Sequence, residues 1–95
     1  MVRPVRRDLK ALAAAERAHA LFPDNLWIET NRAHALMFLG REQDAHVIYL
    51  DYKGKRLSDD ASWESVIAND FAEFRKAGLR HPVMADIEKA LDISR

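Results

Sequence analysis

Four histidines and fifteen acidic side chains are the residues of this 95-residue chain best suited to chemistry, and their spacing decides which chemistry is open to them. His19, His34, His46 and His81 are spread along the chain. No two of them stand three or four residues apart, the separation that places two imidazoles on one helix face to grip a zinc ion. No His-Glu-x-x-His segment occurs, and the absence of cysteine removes thiolate metal sites, iron–sulfur ligands, disulfides and thiol nucleophiles together. Asp59 and Asp60 are adjacent but lack the alternating oxygen ligands of a calcium loop. There is no Gly-x-Ser-x-Gly turn and no glycine-rich phosphate loop. Glu64 and Asp70 share a predicted helix with Trp63 and Phe71, where carboxylates serve more often as caps or a solvated face than as an acid–base pair. The expectation is a chain that is not an enzyme and needs no metal or cofactor, with histidines at the surface or between helices.

Charge narrows the partners. Fifteen Lys and Arg balance fifteen Asp and Glu, so the formal net charge is zero. Nucleic-acid binders and membrane-surface binders normally carry a basic excess, so neither partner is expected. The basic start (Arg3, Arg6, Arg7, Lys10) reads as a flexible, solvated tail over residues 1–7. It resembles the head of a signal peptide, but the stretch from Ala11 to Phe22 is broken by Glu16, Arg17 and His19 and makes no apolar core for one. No run approaches the roughly 18 apolar residues of a membrane span. A cytoplasmic protein whose partner is another protein or peptide is the resulting expectation.

The elements that would position such a surface are helices. Alanine is abundant, and Gly and Pro are few and sit at the ends of apolar periods. A first helix spans residues 8–22, capped by Asp8, with Ala11, Ala15, Ala18 and Phe22 on one face and Pro23 as its stop. A second spans 25–39, from an Asp24 or Asn25 cap to Gly40, with an apolar face of Ile28, Ala33, Ala35, Leu36 and Leu39 and with Glu29 placing negative charge at its start. A third runs from Glu42 to Lys53, with Ala45, Ile48, Tyr49 and Tyr52 on its stripe and Gly54 as its stop. Residues 55–61 read as a polar loop. A fourth helix runs from the Ser62 cap to Ala77, with Trp63, Val66, Ile67, Phe71 and Phe74 on one face, and ends at Gly78 with Leu79 reaching back to Phe74. A fifth runs from Pro82 to Ile93. No segment alternates as a half-buried strand does. The fold class is therefore all-α, with five short helices in a single domain over residues 1–95.

Residues 25–53 form a helix–turn–helix close to the 34-residue length of a tetratricopeptide (TPR) repeat. Ala33 and Ala45 stand at the small-residue positions of its two helices, Gly40 at the turn, and Leu36 and Tyr49 at large positions that fill the space between. Asn31-Arg32-Ala33-His34-Ala35 is similar to the Asn-Arg-Ala run of TPR first helices. Shifted back by one repeat length, Ala11, Ala18 and Pro23 fall on the small and terminal-proline positions, so residues 8–22 resemble the second half of a preceding repeat. Residues 62–93 are similar only in helix pattern to the closing helices after a last repeat. The chain thus resembles the C-terminal end of a bacterial TPR array, or a truncated descendant of one. Several positions depart from the pattern: Glu29 stands where an aromatic is usual, Arg32 where Leu is, Tyr52 where Ala is and Leu57 where Pro is.

The resemblance implies an interaction module that receives a peptide or partner helix on the groove face of the second helix. Trp27, Thr30, Asn31, His34, Met37 and Phe38 would line that groove, unless neighbouring helices of the same chain cover them. Asn31 corresponds to the asparagine with which some TPR domains grip a carboxylate, but Ser65 and Ala68 stand where the companion cations would be needed. The alternative is structural. With no helix preceding the first one, Leu9, Leu12 and Ala15 would be left partly bare, and stacking on a second copy would give a homodimer.

Overall fold

The computed structural model describes residues 5–93, and side chains from Leu9 onward. Five helices run in the order α1 (Val5–Leu21), α2 (Leu26–Phe38), α3 (Glu42–Asp51), α4 (Trp63–Lys76) and α5 (Pro82–Ala90), with strands β1 (Arg56–Ser58) and β2 (Ala61–Ser62) between α3 and α4. The fold is all-α apart from this one small hairpin among the described residues.

The helix ends follow local chemistry. The Asn25 side chain accepts the Trp27 and Ile28 backbone N–H groups at 3.0 and 3.4 Å. That satisfies donors the first turn of α2 cannot pair. Ser62 and Ser65 form a reciprocal capping box at the start of α4. The His81 ring nitrogen accepts the Val83 N–H at 3.1 Å ahead of Pro82, the first residue of α5. After α2 the chain reverses through Gly40 at φ 83°, and the Arg41 N–H returns to the Leu36 carbonyl at 2.9 Å. After α4, Gly78 at φ 79° lets the Leu79 N–H reach the Phe74 carbonyl at 2.8 Å, as expected.

Several boundaries differ from the sequence expectation, among them the end of α3, which falls at Asp51 and not Lys53. α1 starts at Val5, so Asp8 lies inside the helix and does not cap it, and residues 5–7 have helical backbone in place of a flexible tail. Arg3 lies outside the described residues. α5 stops at Ala90 because Asp92 turns left-handed at φ 57° and the Ile93 N–H pairs with the Glu88 carbonyl at 2.8 Å. Asparagine and aspartate tolerate that conformation better than other side chains, so an aspartate ends this helix where glycine ends α2 and α4. The expected polar loop contains an antiparallel hairpin in which Arg56 pairs with Ser62 and Ser58 with Ala61, turning at Asp59 and Asp60. Strands of two and three residues are too short to show alternation in sequence.

The chain separates into two compact units, Met1–Ile48 and Tyr49–Arg95, with the division inside α3. Short turns restrict each helix mainly to partners nearby in sequence, which makes the packing local. In the first unit the most extensive helix packing is α1 on α2. In the second, Trp63, Ile67 and Phe71 of α4, Met84 and Ile87 of α5 and Leu91 just after it are buried. Tyr49 meets Phe71 edge-on at 5.5 Å, and the Trp63 indole N–H donates to the Tyr49 carbonyl at 2.7 Å. Burial pushes the Tyr49 phenol well above its ordinary range, and the charge of Asp70 adds to the effect.

Candidate functional site

The first unit is organised by a polar ladder between α1 and α2. Glu29, at the first turn of α2, is fully buried. Its carboxylate accepts from Arg32 at 2.6 Å and meets the His19 ring nitrogen at 2.7 Å. Three residues earlier on α1, Glu16 takes the Arg32 Nε–H at 2.9 Å. The pairing moves back along α1 as it moves forward along α2, so the two helices are antiparallel. A buried carboxylate is tolerated only when paired and hydrogen-bonded. Burial alone would lower the Arg32 pKa, but the hydrogen bonds and charges of Glu16 and Glu29 outweigh it and raise it.

Beside this ladder lies an open groove of about 540 Å³ within the first unit. Leu12, Leu36 and Ile48 line it with apolar surface, the Glu16–Arg32 pair and the exposed Arg41–Asp44 pair (3.0 Å) edge it, and Val47 stands at its rim. Its four charged residues cancel, so the lining carries no net charge.

The expected groove residues are divided by the structure. Trp27 is 49% exposed, Asn31 is exposed and Phe38 is half-buried. Thr30, His34 and Met37 are buried, which corrects their placement on an open face. Residues 33–37 are buried without interruption, more than one full helical turn, so this part of α2 has no open side. The Thr30 hydroxyl tolerates burial because it donates to the Trp27 carbonyl at 2.7 Å.

The expected self-association face is likewise divided. Leu9 is 54% exposed, whereas Leu12 and Ala15 are buried, because α1 turns this stripe onto its own chain. The large exposed apolar residues gather elsewhere. Leu21, Phe22 and Trp27, at 74%, 59% and 49% exposure, stand within residues 21–27 at the α1–α2 turn. The turn itself is held by the Asn25 N–H on the Phe22 carbonyl at 3.1 Å. Phe22 was assigned by spacing to the helical face of α1. Pro23 ends the helix at that point and leaves the ring outside the packed stripe.

Residues weighed as catalytic have structural partners. Glu64 accepts the Gly54 N–H at 2.7 Å and so closes the turn after α3. Asp70 is half-buried near Tyr49. Among the described residues no three His, Asp or Glu side chains gather to hold a metal ion. The fold and surface thus define an all-α protein with an apolar α1–α2 turn and a neutral groove. No family model matches the chain, and comparisons with curated proteins and with solved structures give no match either.

Proposed function

We propose that the chain is a non-catalytic protein-binding module of TPR type, with the α1–α2 turn and the adjoining first-unit surface as its contact region. One observation carries this reading: Leu21, Phe22 and Trp27 hold large apolar surfaces in water at a single turn. Large apolar side chains clustered on a surface mark contact sites, and aromatic residues dominate the binding energy of such sites. The proposed ligand is a peptide or helix with apolar anchors, since nothing at the turn calls for a strongly charged one. Asn31 is exposed on the same helix as Trp27 and adds a polar contact.

The test is affinity capture with the wild-type chain, Trp27→Ala and Phe22→Ser, read by quantitative mass spectrometry. The expected result is a set of proteins recovered by wild type and lost by both variants, with all three showing the same helical content. Equal recovery by the three proteins would remove the turn as the contact region.

Leu9 and Val47, at 54% and 58% exposure, favour a second reading in which the first unit pairs with a second copy. Light scattering separates the two: the self-associating protein runs at twice its chain mass of 10.9 kDa and returns to it on Leu9→Glu or Val47→Glu.

A further inference from the structure

The second unit carries a separate surface feature whose charge is not balanced. A trough of about 460 Å³ lies along α4 and the end of α5. Ala68, Ala72 and Ile93 give it apolar walls, and Arg75, Lys76 and Arg80 gather at it against a single carboxylate, Glu88. Ala68, Ala72, Arg75 and Lys76 follow the i, i+4, i+7, i+8 spacing of one helical face.

The cations are not equally committed. Arg75 holds Glu88 through two parallel bonds of 2.8 and 2.7 Å, which use two of its five N–H donors. Lys76 has only a long, exposed contact with Glu73 at 3.8 Å. Arg80 is exposed and makes no ion pair among the described residues. On a chain of zero net charge, this is a local positive surplus beside methyl groups that let another backbone come close.

We infer that this trough is a docking site for an acidic amphipathic helix of another protein, with its small apolar side chains against Ala68 and Ala72 and its carboxylates toward Lys76 and Arg80. Charge complementarity selects an acidic partner, and the alanine floor selects a helix. A free phosphate group fits less well. No cradle of backbone N–H groups, of the kind that wraps a phosphate, is offered at the cations. A nucleic acid would call for exposed aromatic rings to stack its bases, and none lines the trough.

The experiment uses the full chain and two fluorescein-labelled synthetic helices with the same alanine and leucine face. One carries glutamate on its polar face and the other lysine. Fluorescence anisotropy at low salt is expected to show saturable binding of the glutamate helix alone, weakening as salt is added. Arg80→Glu is expected to weaken it by about tenfold. Ala72→Trp, which fills the floor at an exposed helix position, is expected to abolish it while circular dichroism stays unchanged. Trp27→Ala leaves it intact, so the test is independent of the α1–α2 turn proposed above as a contact region. Equal binding of the lysine helix overturns the inference, as does wild-type affinity in both Arg80→Glu and Ala72→Trp. Tighter binding of inorganic polyphosphate or single-stranded RNA than of the glutamate helix also overturns it.

Discussion

Replacing Arg32 by methionine tests whether the first unit depends on the ladder that neutralises Glu29. The Glu29 side chain is 1% exposed, so its carboxylate has almost no water to turn to, and Arg32 supplies its 2.6 Å charged hydrogen bond. Removing one member of a buried ion pair costs about 3–5 kcal/mol, because the other charge is left in a poor solvent. Arg32 keeps 19% exposure and His19 remains at 2.7 Å from the carboxylate, so the low end, about 3 kcal/mol, is expected. In a domain of this size that lowers the melting temperature by roughly 12–24 °C. The double change Arg32→Met with Glu29→Leu removes both charges while keeping similar volume, and is expected to return within about 1 kcal/mol of wild type. Urea melts followed by far-UV circular dichroism, run as a double-mutant cycle, measure the coupling. A cost below about 1 kcal/mol for Arg32→Met, or a double variant no better than the single one, would refute the account of Glu29 as a buried charge that needs its partner.

The raised phenol of Tyr49 means that the unfolded chain releases this proton near pH 10 while the folded chain keeps it. Its stabilising contribution is therefore complete below that pH and is lost as pH rises further, at about 1.4 kcal/mol per pH unit. In alkaline denaturation Tyr49→Phe should show a correspondingly shallower slope. Asp92→Gly relieves a left-handed aspartate and removes only an exposed ion pair with Lys53, so thermal melts should show a gain of up to about 1 kcal/mol. Gly78→Ala is expected to lose about 1 kcal/mol by the same measurement. Open space surrounds the added methyl, so the loss would come from φ 79° alone.

Caps and stops carried most of the legible fold. Asn25, Gly40, Ser62, Gly78 and Pro82 act within three or four residues of themselves, so local chemistry is enough to place them. Asp92 was missed because an aspartate at a helix end is also compatible with continued helix. Glu29 and Glu88 were not anticipated as buried residues. Periodicity assigns charged side chains to water, and only tertiary packing shows that Arg32 and Arg75 come with them into shelter. The proposed contact surface was half legible for a similar reason. Trp27 stays open beside a turn, while Thr30 is turned inward and His34 and Met37 lie in the continuously buried stretch 33–37. A pattern borrowed from repeat arrays presumes an open face along the whole of that helix, whereas residues 33–37 are buried here.

The two tryptophans fall one to each compact unit, Trp27 in the first and Trp63 in the second, in opposite surroundings. Trp63 is sealed from solvent and stands 5.1 Å from the Tyr52 ring, while Trp27 is half in water. The chain therefore carries two built-in optical probes that differ in emission colour and in access to a soluble quencher. With one indole replaced by phenylalanine, the remaining fluorescence reports on a single half of the molecule. The order in which the halves melt, and the half that a ligand touches, become separately readable without any attached label.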